Sequence, residues 1–485
     1  MSKYQYDVTV IGGGSGGLVA ARITAALGAR TCLLDKEELG GDCLHYGCVP
    51  SKTLIHAAKI VHTARAVSAL TQDPPAGNFN FVVDMAKVAA RIKGVIKTVG
   101  EVEQVYIKDV EVKFGHAEFK TAHEMTLDGQ TISSQSFIVA TGSRPNVPPI
   151  EGLQEVGFLT NQSVFDLLHL PQSLIIVGGG PIGTEMAQAF ARLGSQVTLL
   201  QGPERILPKE DPEMSQVISE VLEREGVKIV TGARLRKAWA KDGLKVVEAM
   251  QGQETVQLEA EEIIIALGRK PNVAGLNLAA IGVLFDAKGI KVNEYLQTSQ
   301  ENIYAIGDVI GGYLFTHVAA AQGGVAASNA LVPPHVPLLS SARRKMSYDV
   351  VPWVTFTDPE AARVGMTEDE ARQKHGKIKV IRFPWHDIDR AQAEGETTGF
   401  IKLILNEKNE EIYGAHIVGA HAGEVLAEVT LAMQHKLGIS GIVATIHAYP
   451  TLATGLQNAA FEAYLEGSSI ESAKKLLKPV LSFRG

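Results

Sequence analysis

Hydrophobic positions near the start of the chain follow a strand, turn, helix and strand pattern. An apolar run from Tyr6 to Ile11 leads into GGGSGG, a helical segment follows, and a second apolar run ends at Asp35. The segment that begins at Ser173 repeats this pattern, with SLIIV, GGGPIG, a helix and VTLLQ. Apolar runs that alternate with helical segments predict two βαβ units and an α/β fold.

Each unit carries the spacing GxGxxG between its first strand and its helix. The glycines are Gly12, Gly14 and Gly17 in the first unit and Gly178, Gly180 and Gly183 in the second. Such glycines allow a tight turn, a close approach of the backbone to a pyrophosphate, and close packing of the helix on the strand. Two copies in matching contexts therefore predict two dinucleotide sites.

Other strands lead into irregular or ligand-binding segments. SFIVATGSRPNVPPIEG and EEIIIALGRKPNV each run from a strand into turns, and we interpret both as crossings between domains. NIYAIGD places Asp308 at the carboxyl end of a strand, the edge at which ligands bind in open α/β sheets. From about Arg343, four apolar strands precede an amphipathic helix without a nucleotide fingerprint. This segment is predicted to be a separate domain.

Composition and charge narrow the class of protein. The 485 residues are 45% hydrophobic and 20% charged, with a net charge of −7 and a pI near 6.1. The length predicts about three domains, and the charge gives no reason to expect nucleic acid or a membrane surface as a partner. The sequence shows no apolar run of about 18 residues and no cleavable leader, so we expect a cytoplasmic protein.

Two of the three cysteines, Cys43 and Cys48, lie in GGDCLHYGCVPSK with four residues between them. The other, Cys32, lies in the apolar run RTCLLD, where we expect a buried side chain, so no metal site is predicted. In an ideal helix, residues five apart are offset by about 7.5 Å along the axis, beyond the usual reach of a disulfide. A bridge needs a distorted turn, for which Gly47 and Pro50 supply irregularity. Such a bridge is easily reduced, which predicts a redox pair.

With these motifs and ATGSRP, GGGPIGTE, LGRKPN, AIGD and VPWVTFTDPEAARVG, the chain resembles the pyridine nucleotide-disulfide oxidoreductases. That family includes lipoamide dehydrogenase, glutathione reductase and mercuric reductase. The resemblance implies an α/β fold with two Rossmann-like domains and an α+β C-terminal dimerisation domain. FAD-binding residues 1–148 and 268–342 would enclose an NAD(P)-binding domain at 149–267, and residues 343–485 would form the homodimer interface.

The resemblance also implies roles for residues at the cofactors. Asp35 would hold the adenosine ribose of FAD, and Asp308 would bond its ribitol chain. Lys52 would pair with Glu185 near the flavin N5. The remaining residues that we assign to the cofactor sites are Gly115, Ala117, Thr141, Gly142 and Gly268.

The resemblance also implies different roles for the two thiols. Cys48 would be the charge-transfer thiolate beside the flavin, and Cys43 the interchange thiol that attacks the substrate. Hydride would pass from NAD(P)H to FAD, then to the disulfide, and the dithiol would reduce the substrate. A thiolate of lowered pKa suits both electron transfer and nucleophilic attack.

The choice of nucleotide depends on the end of the second unit. NAD sites usually carry an acid there, roughly 20 residues after the glycines. Here Gln201 stands at that position and Arg205 follows four residues later. Because an arginine pairs with a 2′-phosphate, NADPH is the favoured donor. Pro181 stands where many relatives have a tyrosine that gates the nicotinamide.

The C-terminal segment departs from the lipoamide and glutathione reductases, which carry a His-Pro-Thr motif and a glutamate five residues after the histidine. In those enzymes the histidine is the base that activates the interchange thiol. This chain reads IHAYPTLATG, with Tyr449 at the histidine position and Thr454 at the glutamate position. His447 is the candidate substitute base. A tyrosine here resembles mercuric reductases, although ESAKKLLKPVLSFRG lacks the cysteine pair that those enzymes carry.

Three functions remain open from the sequence. The first is an FAD-dependent NAD(P)H oxidoreductase that reduces a disulfide or a thiol-bound metal through Cys43 and Cys48. The second is a flavin-centred reductase of quinones, dyes or oxygen, in which the cysteines are auxiliary. The third is a non-enzymatic scaffold that binds partners according to its redox state.

Overall fold

The computed structural model describes residues 3–66, 82–332, 341–408 and 410–482. It has the mixed α/β architecture expected from the sequence, so the predicted fold class is confirmed. In the described ranges, two mostly parallel sheets, two antiparallel sheets and two short two-stranded ribbons organise the chain. The predicted domain boundaries at residues 148, 267 and 342 stay predictions. Within the described ranges, no helix is long and apolar enough to cross a membrane.

The first sheet contains the first dinucleotide unit. Its parallel strands lie in the order Glu111–Phe114, Thr31–Asp35, Tyr6–Ile11, Gln130–Val139 and Ile303–Ala305. The first half of Gln130–Val139 also pairs antiparallel with Glu124–Leu127, which pairs with Ala117–Thr121. The helices of this part are Ser15–Ala26, Gly41–His45, Cys48–Ala66, Met85–Tyr106 and Thr316–Leu331.

Two helices of the first part pack closely through glycines. A Cβ atom on Gly16 would lie 2.9 Å from the Ala319 carbonyl oxygen, and one on Gly323 would lie 2.5 Å from the Gly16 carbonyl oxygen. Side chains at these positions would force helices Ser15–Ala26 and Thr316–Leu331 apart. The glycines therefore permit the close contact between the two helices, the second of which begins at Thr316.

The second unit builds its own parallel sheet. The strands lie in the order Lys228–Val230, Gln196–Leu200, Ser173–Val177 and Glu262–Ile265. A separate antiparallel sheet comprises Ala233–Lys241, Leu244–Gln251 and Glu254–Ala260. The helices here are Leu153–Val156, Pro181–Leu193 and Pro212–Arg224. The two segments that we interpreted as crossings pair with each other, Ser143–Pro145 against Arg269–Pro271.

The C-terminal segment forms one antiparallel sheet with helices. The strand order is Pro352–Thr355, Glu360–Gly365, Ile412–Gly419, Phe400–Asn406 and Ile378–Pro384. The sequence predicted four of these strands and missed Glu360–Gly365, which starts directly after Pro359 and is separated from its neighbour by only a short turn. The helices are Glu368–His375, Asp389–Glu394, Ala422–Gln434, Gly438–Ala444, Ala453–Leu465 and Ser468–Ser482.

Short elements complete the described chain. The two-stranded ribbon Phe285–Asp286 and Gly289–Ile290 lies in the second half of the chain. The 3₁₀ turns are Val164–Asp166, Ala279–Ile281, Gly307–Ile310 and Trp385–Asp387.

One face of helix Pro181–Leu193 is bonded to the C-terminal segment. Glu185 accepts a hydrogen bond from the Phe356 backbone N–H at 2.9 Å. Gln188 exchanges two hydrogen bonds with the backbone of Asp358, at 2.7 and 2.8 Å. Arg192 donates to the Asp358 carboxylate at 2.6 Å. The three residues lie three and four positions apart and share one helix face, so the helix is held along its length.

Candidate functional site

A cavity of about 1210 Å³ lies where the three parts of the fold meet. This volume exceeds the upper end of ordinary ligand pockets, about 1,000 Å³. Predicted site residues in its wall are Gly12, Gly14, Asp35, Cys43, Cys48, Lys52, Gly115, Ala117, Thr141, Gly142, Glu185, Gly268 and Asp308. The other predicted site residues lie outside this wall: Gly17, Gly178, Gly180, Gly183, Gln201, Arg205, His447 and Tyr449.

The first glycine-rich turn has the geometry that a dinucleotide needs. Gly12 has a φ of +107°, and a Cβ atom there would lie 2.3 Å from the Ala140 carbonyl oxygen. A Cβ atom on Gly17 would lie 1.8 Å from the Gly12 carbonyl oxygen, so helix and strand touch at this point. The Gly13 N–H donates to Asp35 Oδ2 at 2.5 Å. A bare turn at a helix N-terminus, with an acid at the next strand end, fits FAD.

Asp308 lies in the wall of the cavity within a small polar network. Ser143 Oγ donates to Asp308 Oδ2 at 2.5 Å, and Arg269 Nε lies 3.4 Å from the same oxygen. Arg269 also reaches Asp42, beside Cys43, with 3.1 Å between Nη2 and Oδ2. The guanidinium therefore joins the 3₁₀ turn that contains Asp308 to helix Gly41–His45, which contains Cys43. Sequence reasoning missed this residue, although its motif LGRKPN was visible.

The second glycine-rich turn reproduces the first, with an amide in place of the acid. The Gly179 N–H donates to Gln201 Oε1 at 2.7 Å across 22 residues. The Gly13 to Asp35 bond spans the same 22 residues. Gln201 thus occupies the position of the ribose-binding acid and adds no negative charge there.

Arg205 faces away from this turn. Its Nη2 donates to the Pro208 carbonyl oxygen at 2.9 Å. Its side chain lines a second cavity of about 600 Å³, together with Glu210 and Trp353. Trp353 Nε1 donates to Glu210 Oε1 at 2.7 Å, and burial raises the pKa of the Glu210 carboxyl. The arginine that we predicted to pair with a 2′-phosphate is thus directed toward the C-terminal sheet.

The two cysteines come together because the chain breaks between two helices. Cys43 lies in helix Gly41–His45 and Cys48 begins helix Cys48–Ala66. A Cβ atom on the intervening Gly47 would lie only 3.1 Å from the Cys43 Cα atom, so glycine permits the tight return. Pro50 lies in the first turn of the second helix, where proline is tolerated. The distortion therefore comes from Gly47, and both thiols are free.

The surroundings of the two thiols shift their pKa values in opposite directions. The hydrogen bond from the Cys43 thiol lowers the pKa of Cys48 to about 6, with further contributions from Thr316 and the Lys52 charge. The same bond, together with burial, raises the pKa of the Cys43 thiol. Cys48 Sγ lies 3.5 Å from Thr316 Oγ1. Of the two thiols, Cys48 is therefore the one that ionises first, while Cys43 keeps its proton.

Lys52 and Glu185 form an ion pair in the wall of the cavity, as the resemblance implied. Lys52 Nζ lies 2.8 Å from Glu185 Oε2 and 4.3 Å from the centre of the Phe356 ring. Glu185 is 4% exposed. Because Lys52 lies one helical turn after Cys48, its charge reaches both the thiolate and the interior of the cavity.

The C-terminal residues of interest lie away from the cavity of the same chain. Tyr449 is 72% exposed, and its Oη donates to Asp389 Oδ2 at 2.7 Å. This bond and the carboxylate charge raise the pKa of the Tyr449 phenol. His447 has both ring nitrogens engaged, with Nε2 at 2.9 Å from Glu428 and Nδ1 at 2.9 Å from the Thr445 carbonyl oxygen. The sequence did not indicate Asp389 or Glu428, since each is distant along the chain.

Comparison with known proteins agrees with this geometry. Residues 6–323 match the family model described as pyridine nucleotide-disulphide oxidoreductase, and residues 351–460 match its dimerisation domain. Mercuric reductase of Staphylococcus aureus is 37% identical over 94% of this chain and 82% of its own length. Dihydrolipoyl dehydrogenase of Thermus scotoductus is 38% identical over 94% of this chain and 96% of its own length.

A solved structure shares the fold. The Cu(II) complex of the HOCl-induced flavoprotein disulfide reductase RclA from Escherichia coli superimposes with a TM-score of 0.82 and 27% identity. The match covers 95% of this chain and 99% of the RclA chain. The resemblance drawn from the motifs is therefore confirmed. This chain belongs to the pyridine nucleotide-disulphide oxidoreductases and is an enzyme of the flavoprotein disulfide reductase type.

Proposed function

We propose that the protein is an FAD-dependent NAD(P)H oxidoreductase that reduces a disulfide or a thiol-bound metal through Cys43 and Cys48. The observation that carries this proposal is the position of Cys43, Cys48 and the Lys52–Glu185 ion pair together in the wall of one large cavity. Bound FAD would supply two-electron transfer between a nicotinamide and the cysteine pair. Gly12, Gly14 and Asp35 would hold its adenosine and pyrophosphate, as the family resemblance implies.

The protein's own residues then prepare the thiols. The Cys48 thiolate is stabilised by Cys43, by Thr316 and by the charge of Lys52. Lys52 is itself oriented by Glu185, which the Phe356 backbone N–H fixes from the other side. Cys43 keeps its proton on Sγ and must lose it before it attacks a disulfide.

A matched dimerisation domain implies a homodimer, and we propose that Tyr449 reaches the cavity of the partner chain. Because its phenolic hydrogen is donated to Asp389, Tyr449 Oη offers only lone pairs to a neighbour. Its raised pKa keeps it protonated, so it is a poor base for the Cys43 thiol. A metal ion lowers the pKa of the thiol that it binds, so the Cys43 proton would be released to solvent on metal binding without a positioned base. This favours a thiol-bound metal over lipoamide or glutathione disulfide as substrate.

The names of two similar proteins also favour a metal substrate. One matched enzyme is a mercuric reductase, and the solved neighbour is a Cu(II) complex of a flavoprotein disulfide reductase. Both combine the fold of this chain with a soft or borderline metal ion, for which thiolates are suitable ligands. We propose NADPH as the favoured donor because Gln201 is neutral. A cytoplasmic location stays a prediction from the sequence.

The test is the variant Cys43→Ser. NADPH-dependent reduction of disulfides and of Hg(II) or Cu(II) is expected to fall about 100-fold or more, while flavin reduction by NADPH continues. The matched control is Cys32→Ser, because Cys32 is buried in a strand. If Cys43→Ser leaves all acceptors equally active, the flavin-centred reduction of quinones or oxygen is the correct function. Purified protein without flavin absorbance would contradict both enzyme functions.

A further inference from the structure

Backbone hydrogen bonds hold the end of the second dinucleotide unit against the start of the next sheet. The Gln201 N–H donates to the Val230 carbonyl oxygen at 2.8 Å, and the Ala233 N–H donates to the Gln201 carbonyl oxygen at 3.0 Å. Strands Gln196–Leu200 and Lys228–Val230 run parallel, so their carboxyl ends meet at one edge of the sheet. Arg234 follows Ala233 directly, so its side chain leaves the backbone at this edge of the sheet.

Arg234 extends over Gly202, the residue that follows Gln201. A Cβ atom on Gly202 would lie 3.5 Å from Arg234 Cγ and 4.0 Å from its Nε. The absence of a side chain at Gly202 thus leaves room for the arginine stem. Arg234 is exposed. In the described part of the chain its guanidinium takes part in no hydrogen bond or ion pair.

We propose that Arg234 binds the 2′-phosphate of NADPH, an inference that rests on the proposed function. Gln201 marks the ribose position, because its bond to Gly179 repeats the bond of Asp35 to Gly13. The 2′-oxygen of the ribose is the group that this position contacts in dinucleotide folds. A guanidinium beside the next residue is placed to pair with a phosphate there.

Two features of the surroundings favour a phosphate at this point. Gln201 is neutral, so a dianion meets no carboxylate where NAD sites have one. Arg205, the other basic candidate, is bonded to the Pro208 carbonyl oxygen and lines the second cavity. Glu204 is the nearby acid, with its Oε2 at 3.1 Å from the position of a Cβ atom on Gly232. It forms no ion pair with Arg234 within the described residues, so the guanidinium charge is not neutralised by it.

The test measures binding of NADP⁺ and NAD⁺ to the purified flavoprotein by titration calorimetry, without turnover. Arg234→Ala is expected to weaken NADP⁺ binding about 10- to 100-fold, the usual range for a lost charge-assisted contact. NAD⁺ affinity should stay within about twofold, because NAD⁺ lacks the phosphate. Arg234→Lys should recover part of the loss, since lysine keeps the charge but not the guanidinium fork.

The matched controls are Arg236→Ala, an exposed arginine of the same strand, and Arg205→Ala. Each should leave the ratio of NADP⁺ to NAD⁺ affinity within about twofold of the wild type. An Arg234→Ala variant that loses both nucleotides equally, or neither, overturns the assignment of Arg234. A wild-type protein that prefers NAD⁺ also overturns it and leaves the flavoprotein function standing. A wild-type protein that binds neither nucleotide contradicts the proposed function itself.

Discussion

Tyr449 donates its phenolic hydrogen to Asp389, and the two oxygens lie 2.7 Å apart. The bond joins a residue at the position of the family's catalytic base to an acid 60 residues away in the sequence. The hydrogen bond to Asp389 and the charge of its carboxylate therefore raise the pKa of the Tyr449 phenol. The phenolic hydrogen of Tyr449 points at the Asp389 carboxylate, so only the lone pairs of Oη are available to other groups.

Replacing Asp389 should make Tyr449 easier to ionise. The carboxylate stabilises the protonated phenol and repels the phenolate, so Asp389→Asn is expected to lower the pKa of Tyr449 toward its ordinary value near 10. An ultraviolet titration of tyrosinate formation measures this, with Tyr449→Phe in each background identifying the signal. Glu394→Gln, on the same short helix, is the control. Identical titration curves with and without the Asp389 substitution would refute this account.

The reactivity of Cys48 should depend on Lys52. In reduced protein, alkylation of Cys48 is expected to rise with pH around a midpoint near 6, because the thiolate is the reactive form. Lys52→Met removes a favourable charge and should move this midpoint upward. The shift should be only part of the total, since the hydrogen bond from Cys43 is the largest cause. Mass spectrometry of alkylated peptides measures the profile.

The control for Lys52 lies on the same helix. Lys59→Met removes a lysine that pairs with Asp358 at 3.0 Å instead of with the thiol site. Its alkylation midpoint should match the wild type. Equal shifts in the two variants would mean that Cys48 responds to the overall charge of the helix.

Truncation of Glu185 should destabilise the fold. Glu185→Ala leaves the Phe356 backbone N–H and the Lys52 ammonium without their acceptor. A lost buried acceptor of this kind typically lowers the free energy of unfolding by about 1–3 kcal/mol. Glu185→Gln should cost less, because its amide oxygen still accepts from Phe356. Chemical denaturation provides the measurement, and equal costs for the two variants would show that the carboxylate charge, not the Phe356 bond, is decisive.

His416 should contribute to acid instability. It is fully buried, and burial lowers its pKa to about 4. In the unfolded chain the ring takes up a proton near pH 6.5. Between pH 6.5 and 4 the unfolded state therefore binds more protons than the native state, so stability falls as the pH falls. His416→Gln should flatten this dependence in thermal unfolding measured across that window. An unchanged slope would contradict it.

Local sequence patterns predicted the features that are determined by residues close together in the chain. The glycine turns, the strand ends at Asp35 and Asp308, and the break at Gly47 all follow from short-range sterics. The strand Glu360–Gly365 was missed because it starts directly after Pro359, at the end of a short turn.

Pairings between distant segments could not be predicted in this way. Asp389 approaches Tyr449, and Glu428 approaches His447, only through the packing of the C-terminal sheet and its helices. Arg205 was predicted at the nucleotide because it is close in sequence to Gln201, but spacing along a loop does not fix the direction of a long side chain. The direction of the Arg205 side chain follows from its hydrogen bond to the Pro208 carbonyl oxygen.

The bonds along helix Pro181–Leu193 have a consequence for how the second unit moves. A hinge rotation of the second unit away from the C-terminal sheet would break the bonds of Glu185, Gln188 and Arg192 in one movement. Opening this face would therefore cost several hydrogen bonds and a buried ion pair at once, so the second unit and the C-terminal sheet are expected to move as one body.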